Sequence, residues 1–140
     1  MNQNAVLMNV TCERNLKFIA ENTAGQTIPV EPGVVLVGSG KTPNPIDYLL
    51  ASLGGCAGIK VLLDLNEKGT RPDSLRVAIS GTRREAPPGI FEFLHLTFYL
   101  AGKLDENVVG EAIHETMTLM CPVAVMMGRA TEVTWEHRIA

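Results

Sequence analysis

The chain has 140 residues, 46% of them hydrophobic and 19% charged, with a mean hydropathy of +0.13. That length and apolar content suit one compact domain, spanning residues 1–140, that buries roughly two-thirds of the surface its unfolded chain would expose. A formal net charge of -3, a pI near 5.6 and no basic run longer than Arg83-Arg84 exclude the clustered cations that nucleic acid or an anionic membrane surface requires.

The first ten residues lack a charged segment followed by a long apolar one, so no export signal is read and a cytoplasmic protein is expected. Ala5–Glu13 and Leu16–Glu21 read as strands joined by an Arg14-Asn15 turn. Thr27–Val30 and Val34–Val37 are further extended runs, split by Pro32-Gly33. A long helix follows. Asn44 is a good N-cap, Pro45 suits the first helical position, and Gly69 with Pro72 supplies a stop, giving a helix over Pro45–Lys68. Its charge-free core, Tyr48–Ile59, is too short for the roughly 20 residues that span a bilayer, which favours a buried helix. Leu49, Leu53, Cys56, Lys60 and Leu63 recur at spacings of four and three and predict one buried seam.

Ser74–Arg84 and Ile90–Ala101 flank the loop Ala86-Pro-Pro-Gly89 and read as a hairpin. In the second strand Leu94, Leu96, Phe98 and Leu100 occupy one face and Phe91, Phe93, His95 and Tyr99 the other; cover on both faces is expected, one of them from a second subunit. Asp105 should cap a second helix to about Met120, with Val109, Ala112, Ile113, Thr116, Met117 and Met120 as its apolar stripe. Pro122 is placed to start a short helix through about Gly128, with Cys121 as its N-cap. Thr131–Ile139, alternating Val133, Trp135 and His137 with polar residues, is a half-buried strand.

Three cysteines make no disulfide framework, and in a reducing compartment a cysteine pair is more often catalytic or redox-sensing than structural. Cys56 sits in a run of small residues, Ala51-Ser-Leu-Gly-Gly-Cys-Ala-Gly58, which serves either tight helix packing or room for a substrate beside the sulfur. At Cys121 a helix dipole and free backbone N–H groups would lower the thiol pKa toward neutrality; the competing reading is a small buried apolar residue. Cys12 lies in an ordinary strand pattern and reads as packing.

Gly38-Ser-Gly-Lys-Thr42 imitates the end of a phosphate-binding loop, yet Val35 stands where the first glycine is required, and Pro43-Asn44-Pro45 prevents Thr42 from opening a helix. The three histidines fall on separate elements without zinc spacing, so neither a metal nor another cofactor is expected. A Cys121–His137 hydrolase lacks nucleophile-elbow glycines.

Asn44-Pro-Ile-Asp-Tyr-Leu-Leu-Ala-Ser-Leu-Gly-Gly-Cys56, followed by a hairpin, an acidic-capped helix, Cys121-Pro-Val123 and a final strand, resembles the OsmC/Ohr superfamily over nearly the whole chain, and its OsmC-like (YhfA-like) group most. The resemblance implies an α+β fold with an antiparallel sheet, two main helices and an intertwined homodimer around the long central helix. It also implies that Cys56, as thiolate, attacks an organic hydroperoxide and becomes a sulfenic acid, that Cys121 resolves it as a disulfide, and that a dithiol reductant, lipoyl-type in some members, restores the pair.

One family feature is missing. The peroxidase branches place a glutamate directly after Asn-Pro, paired with a thiolate-stabilising arginine; here that position is Ile46, with Asp47 adjacent but turned about 100° on a helix. Arg14 is the candidate arginine, and Leu49, Leu53 and Met126 are candidate apolar walls for a substrate. Two functions follow, a peroxidase or a non-enzymatic module binding a small apolar ligand at the dimer interface.

Overall fold

A computed structural model describes residues 4–140. Residues 1–3, which open the segment read above for an export signal, lie outside the described residues. The chain forms two compact units, Met1–Leu49 and Leu50–Ala140.

The first unit is a three-stranded antiparallel sheet in the order β1 (Met8–Arg14), β2 (Lys17–Asn22), β3 (Thr27–Val30). Asn15 takes the left-handed conformation that the tight β1–β2 turn demands, at φ 48°, and asparagine tolerates it better than most residues. The Asn22 side chain builds the next turn by accepting from the backbone N–H groups of Ala24 (3.0 Å) and Gln26 (2.9 Å). Val34–Val37, expected to be extended, instead forms a 3₁₀ turn over Val34–Leu36, because Leu36 and Val37 donate to the carbonyls of Gly33 and Val34. Ser39 donates to Glu31 at 2.6 Å and accepts from the Lys41 N–H, which folds the Gly38–Thr42 loop. Gly38 is required there, since a Cβ would stand 1.8 Å from the Pro32 carbonyl oxygen.

A 23-residue helix, α1 (Pro45–Glu67), begins in the first unit and continues in the second. Its start is a reciprocal cap in which Asn44 Oδ1 accepts from the Asp47 N–H (3.0 Å) and the Asp47 carboxylate accepts from the Asn44 N–H (3.2 Å). Tyr48 donates to the Pro29 carbonyl. By length and composition α1 could cross a membrane: its most apolar stretch has a mean hydropathy of 1.5, and only 22% of it is buried. The charge-free core is only twelve residues long, and Lys60 and Asp64 lie beyond it on the same helix.

The second unit is a two-layer sandwich. Its sheet runs β4 (Ser74–Arg83), β5 (Phe91–Ala101), β6 (Glu132–Ile139). β4 and β5 are the expected antiparallel hairpin, but β6 pairs with β5 in parallel, so this sheet is mixed. The cause is the helical crossover between β5 and β6, formed by α2 (Glu106–Glu115), a π turn (Thr116–Met120) and α3 (Pro122–Met127), which returns the chain to the same end of the sheet. Register places Leu75, Val77 and Ile79 of β4 opposite Leu100, Phe98 and Leu96 of β5, and Val133, Trp135 and His137 of β6 opposite Leu94, Leu96 and Phe98. These residues share one face. Helix α1 covers that face over β4, where a Cβ on Gly54 or Gly58 would meet Ile79 at 3.0 Å or Val77 at 3.6 Å. Helix α2 covers it over β6, with the His114 ring 6.1 Å from that of Trp135. Asp105 caps α2 as expected, accepting from the N–H groups of Asn107 and Val108.

Within one chain the second face of β5 is covered only in part, with Phe91 buried. Phe93 is 50% exposed, and the Tyr99 ring is capped by the Arg76 guanidinium at 4.2 Å instead of by a layer of protein. The seam of α1 also differs from its periodicity. The buried residues are Leu53, Ala57, Gly58, Val61 and Leu65, while Leu49 and Leu63 are exposed and Cys56 lies half-buried at the edge.

Two glycine replacements should therefore act in opposite directions. Gly38→Ala forces the Pro32 backbone to move and should destabilise the protein by about 1–3 kcal/mol. Gly58→Ala adds a methyl at ordinary contact distance from Val77 inside a helix, and should stabilise it by about 0.5–1 kcal/mol. Urea unfolding of the two variants beside wild type checks both signs.

Candidate active site

The apolar stripe expected on the second helix holds through Val109, Ala112, Ile113, Thr116 and Met117, all buried, and then fails at Met120, which is 52% exposed. The π turn explains the failure. The Cys121 N–H donates to the Thr116 carbonyl five residues back, at 2.8 Å, so the helix carries one extra residue in its last turn. The inward position passes from Met120 to Cys121, which is fully buried. Proline then starts α3, and Cys121 becomes its N-cap as the sequence predicts, its Sγ accepting from the Ala124 N–H at 3.4 Å.

Cys121 and Cys56 are neighbours. Burial is the first influence on the Cys121 thiol and pushes its pKa above the ordinary 9.0. The Ala124 N–H opposes this, while hydrogen bonding to Cys56 and negative charge on it both add to the rise. The direction corrects the expectation that the helix N-terminus makes Cys121 acidic, because one short helix end supplies less to the thiolate than burial takes away. Cys56, on α1, is half-buried and lies near enough to Cys121 to influence it. Cys12 stands apart at the surface, donating to the Asn15 carbonyl at 3.3 Å.

The glycines beside Cys56 divide the two readings between them. Gly54 serves close helix–sheet packing, with a Cβ there 3.0 Å from Ile79, while a Cβ on Gly55 would meet nothing within 4 Å. Leu50, Ala51, Gly54, Gly55 and Leu62 of α1 and Leu75, Val77 and Ile79 of β4 border an open groove of about 480 Å³. Of the proposed apolar walls, Leu53 is wholly in the core, whereas Leu49 and Met126 are exposed. Asp47 is occupied in the helix cap. Arg14 lies at the end of β1 and lines a separate cavity of about 590 Å³ with Lys17, Glu31 and Ser39, where the Ser39 hydroxyl holds the Glu31 carboxyl below its usual value. The histidines have individual partners: His95 with Thr134 at 2.7 Å and Glu136 at 3.5 Å, His137 with Glu106 at 2.5 Å, His114 with Trp135. Among the described residues no three His, Cys, Asp or Glu side chains converge as metal ligands would.

The raised Cys121 pKa has a consequence for stability. A buried thiol favoured in its neutral form stabilises the fold fully below its unfolded pKa, and that contribution is lost as pH rises through the higher folded value. Stability measured in urea should fall above about pH 9 more steeply in wild type than in Cys121→Ser, which carries no group titrating there. Equal slopes would contradict it.

Comparison with known proteins gives the family and the fold. The family model described as OsmC-like protein matches residues 38–136, a span that contains both cysteines. Protein YhfA of Escherichia coli (strain K12) is 26% identical over 125 residues, covering 89% of this chain and 90% of its own. The fold matches the crystal structure of an OsmC like protein from Mycoplasma pneumoniae, at a TM-score of 0.85 and 14% identity over 99% of each chain. It also matches an organic hydroperoxide resistance protein OsmC from Legionella pneumophila, at a TM-score of 0.75 and 15% identity over 98% of each chain. The match to the family model, with the α+β architecture and the paired cysteines inside it, establishes that the chain belongs to the OsmC-like protein family.

Proposed function

We propose that this protein is a thiol-dependent peroxidase that reduces organic hydroperoxides. The observation that carries the reading is the meeting of Cys56 and Cys121, one sulfur half-open and the other enclosed beside it. Cys56 as thiolate attacks the terminal peroxide oxygen, the O–O bond breaks to release an alcohol, and Cys56 becomes a sulfenic acid. Cys121 then forms a disulfide with it and water leaves; a dithiol of lipoyl type returns both sulfurs to thiols by exchange. Fold likeness to a protein described as conferring organic hydroperoxide resistance supports the same substrate class. Arg14 is the candidate for the cation that stabilises the thiolate, and Ile46 means that no glutamate at that helix entry assists it.

The protein works as a homodimer in this reading. A 23-residue apolar helix with 22% of its most hydrophobic stretch buried, and with Ile59, Leu62 and Leu63 exposed, leaves a surface that water does not favour and a second copy can cover. A cytoplasmic setting, which keeps the thiols reduced, belongs to the same proposal.

Purified wild type should consume cumene hydroperoxide in the presence of dihydrolipoamide, Cys56→Ser should be inert, and Cys121→Ser should lose turnover. If all three are equally inert while an apolar ligand still binds, the protein is a binding module and the peroxidase reading is wrong. Sedimentation should give about twice the 15.1 kDa chain mass, reduced toward one chain by Leu63→Glu.

A further inference from the structure

The reaction proposed above leaves one proton unaccounted for. When a thiolate takes the terminal oxygen of an alkyl hydroperoxide, the O–O electron pair departs on an alkoxide, whose conjugate alcohol is a very weak acid. An alkoxide expelled without a proton is a poor leaving group, so an acid beside the nucleophile lowers the barrier, typically by about 10²–10⁴-fold in rate.

The geometry points to Cys121 as that acid: it donates its thiol proton to the departing alkoxide before it acts as the resolving nucleophile. Three observations carry this, and the inference rests on the peroxidase reading. Cys121 is fully buried, so no water competes as donor at its sulfur. It lies near enough to Cys56 for the two thiols to influence each other, on the side where an oxygen would be transferred. Its Sγ already accepts the Ala124 N–H at 3.4 Å, at the start of α3, so the thiolate left after donation has a hydrogen bond waiting. The π turn is what places the sulfur there, since an unbroken α-helix would give the inward position to Met120, which has no proton to give. Burial and the adjacent Cys56 thiolate keep Cys121 protonated until the reaction begins.

The steps balance. Cys56 thiolate, peroxide and Cys121 thiol give Cys56 sulfenic acid, alcohol and Cys121 thiolate; the S–O bond forms, the O–O bond breaks, and Cys56 is oxidised by two electrons as the peroxide is reduced. The Cys121 thiolate then attacks the Cys56 sulfur, the S–S bond forms, the S–O bond breaks, and the departing hydroxide takes a proton from solvent to leave as water. Proton donation thus generates the nucleophile of the second step at the moment it is needed.

The test separates this role from resolution alone. Formation of the Cys56 sulfenic acid is followed by rapid mixing and dimedone trapping in wild type, Cys121→Ala and Cys121→Ser. The oxidants are cumene hydroperoxide, whose leaving alkoxide needs a proton, and peracetic acid, whose leaving carboxylate does not. An acid role predicts a loss of about 100-fold with cumene hydroperoxide in both variants and a loss of less than about 10-fold with peracetic acid. Cys121→Ser keeps a side chain able to cap α3, so the same pattern in both variants sets folding damage aside. Wild-type rates in the variants with cumene hydroperoxide, or equal losses with both oxidants, overturn the acid role while leaving the peroxidase reading intact. A wild type whose Cys56 is not oxidised by either reagent overturns that reading and this inference with it.

Discussion

Two sulfur atoms 65 residues apart in the chain meet because both helical segments that carry them are seated on one face of one sheet. That face is continuous across β4, β5 and β6, and it offers room for α1 on one side and the α2–π–α3 crossover on the other. The seat of α1 depends on Gly54, where a Cβ would stand 3.0 Å from Ile79. The seat of the crossover depends on the parallel pairing of β6, which obliges the chain to travel the length of the sheet before returning.

Local distortion then decides the chemistry. A helix that gains one residue in its last turn rotates everything after it, and here that rotation exchanges a methionine for a cysteine at the buried position. Proline stops the helix at once, so the exchanged residue is also a cap. The same sulfur thereby gains a backbone donor and loses water, two effects of opposite sign on its acidity, of which the loss of water is the larger.

The exposed apolar surface of α1 and the thin first unit belong to the same economy of burial. In that unit Ala20 is the one described residue buried as core, and β1 is exposed along its whole length. An antiparallel sheet normally stands on one covered face, and a long apolar helix that is mostly uncovered is unfavourable in water. Both features fit a chain whose folding is completed by association, the arrangement proposed above.

The sequence by itself determined the element order, the caps and the pairing of interest. Asn44-Pro45, Asp105, Cys121-Pro122 and the turn residues act over three or four positions, and hydrogen bonds of that range are written in the local chain. The family pattern placed both cysteines before any coordinates did. Only the tertiary structure decided which stripe of α1 is buried, since Leu49 and Leu63 satisfy the helical period as well as Ala57 and Val61 do, and the choice belongs to the sheet beneath. The π turn and the parallel β6 were likewise unreadable, because a one-residue phase shift and a strand direction leave no mark on hydrophobic spacing. The acidity of Cys121 needed the fold for the same reason: a cap is a local fact, but desolvation is the sum of everything packed around the sulfur.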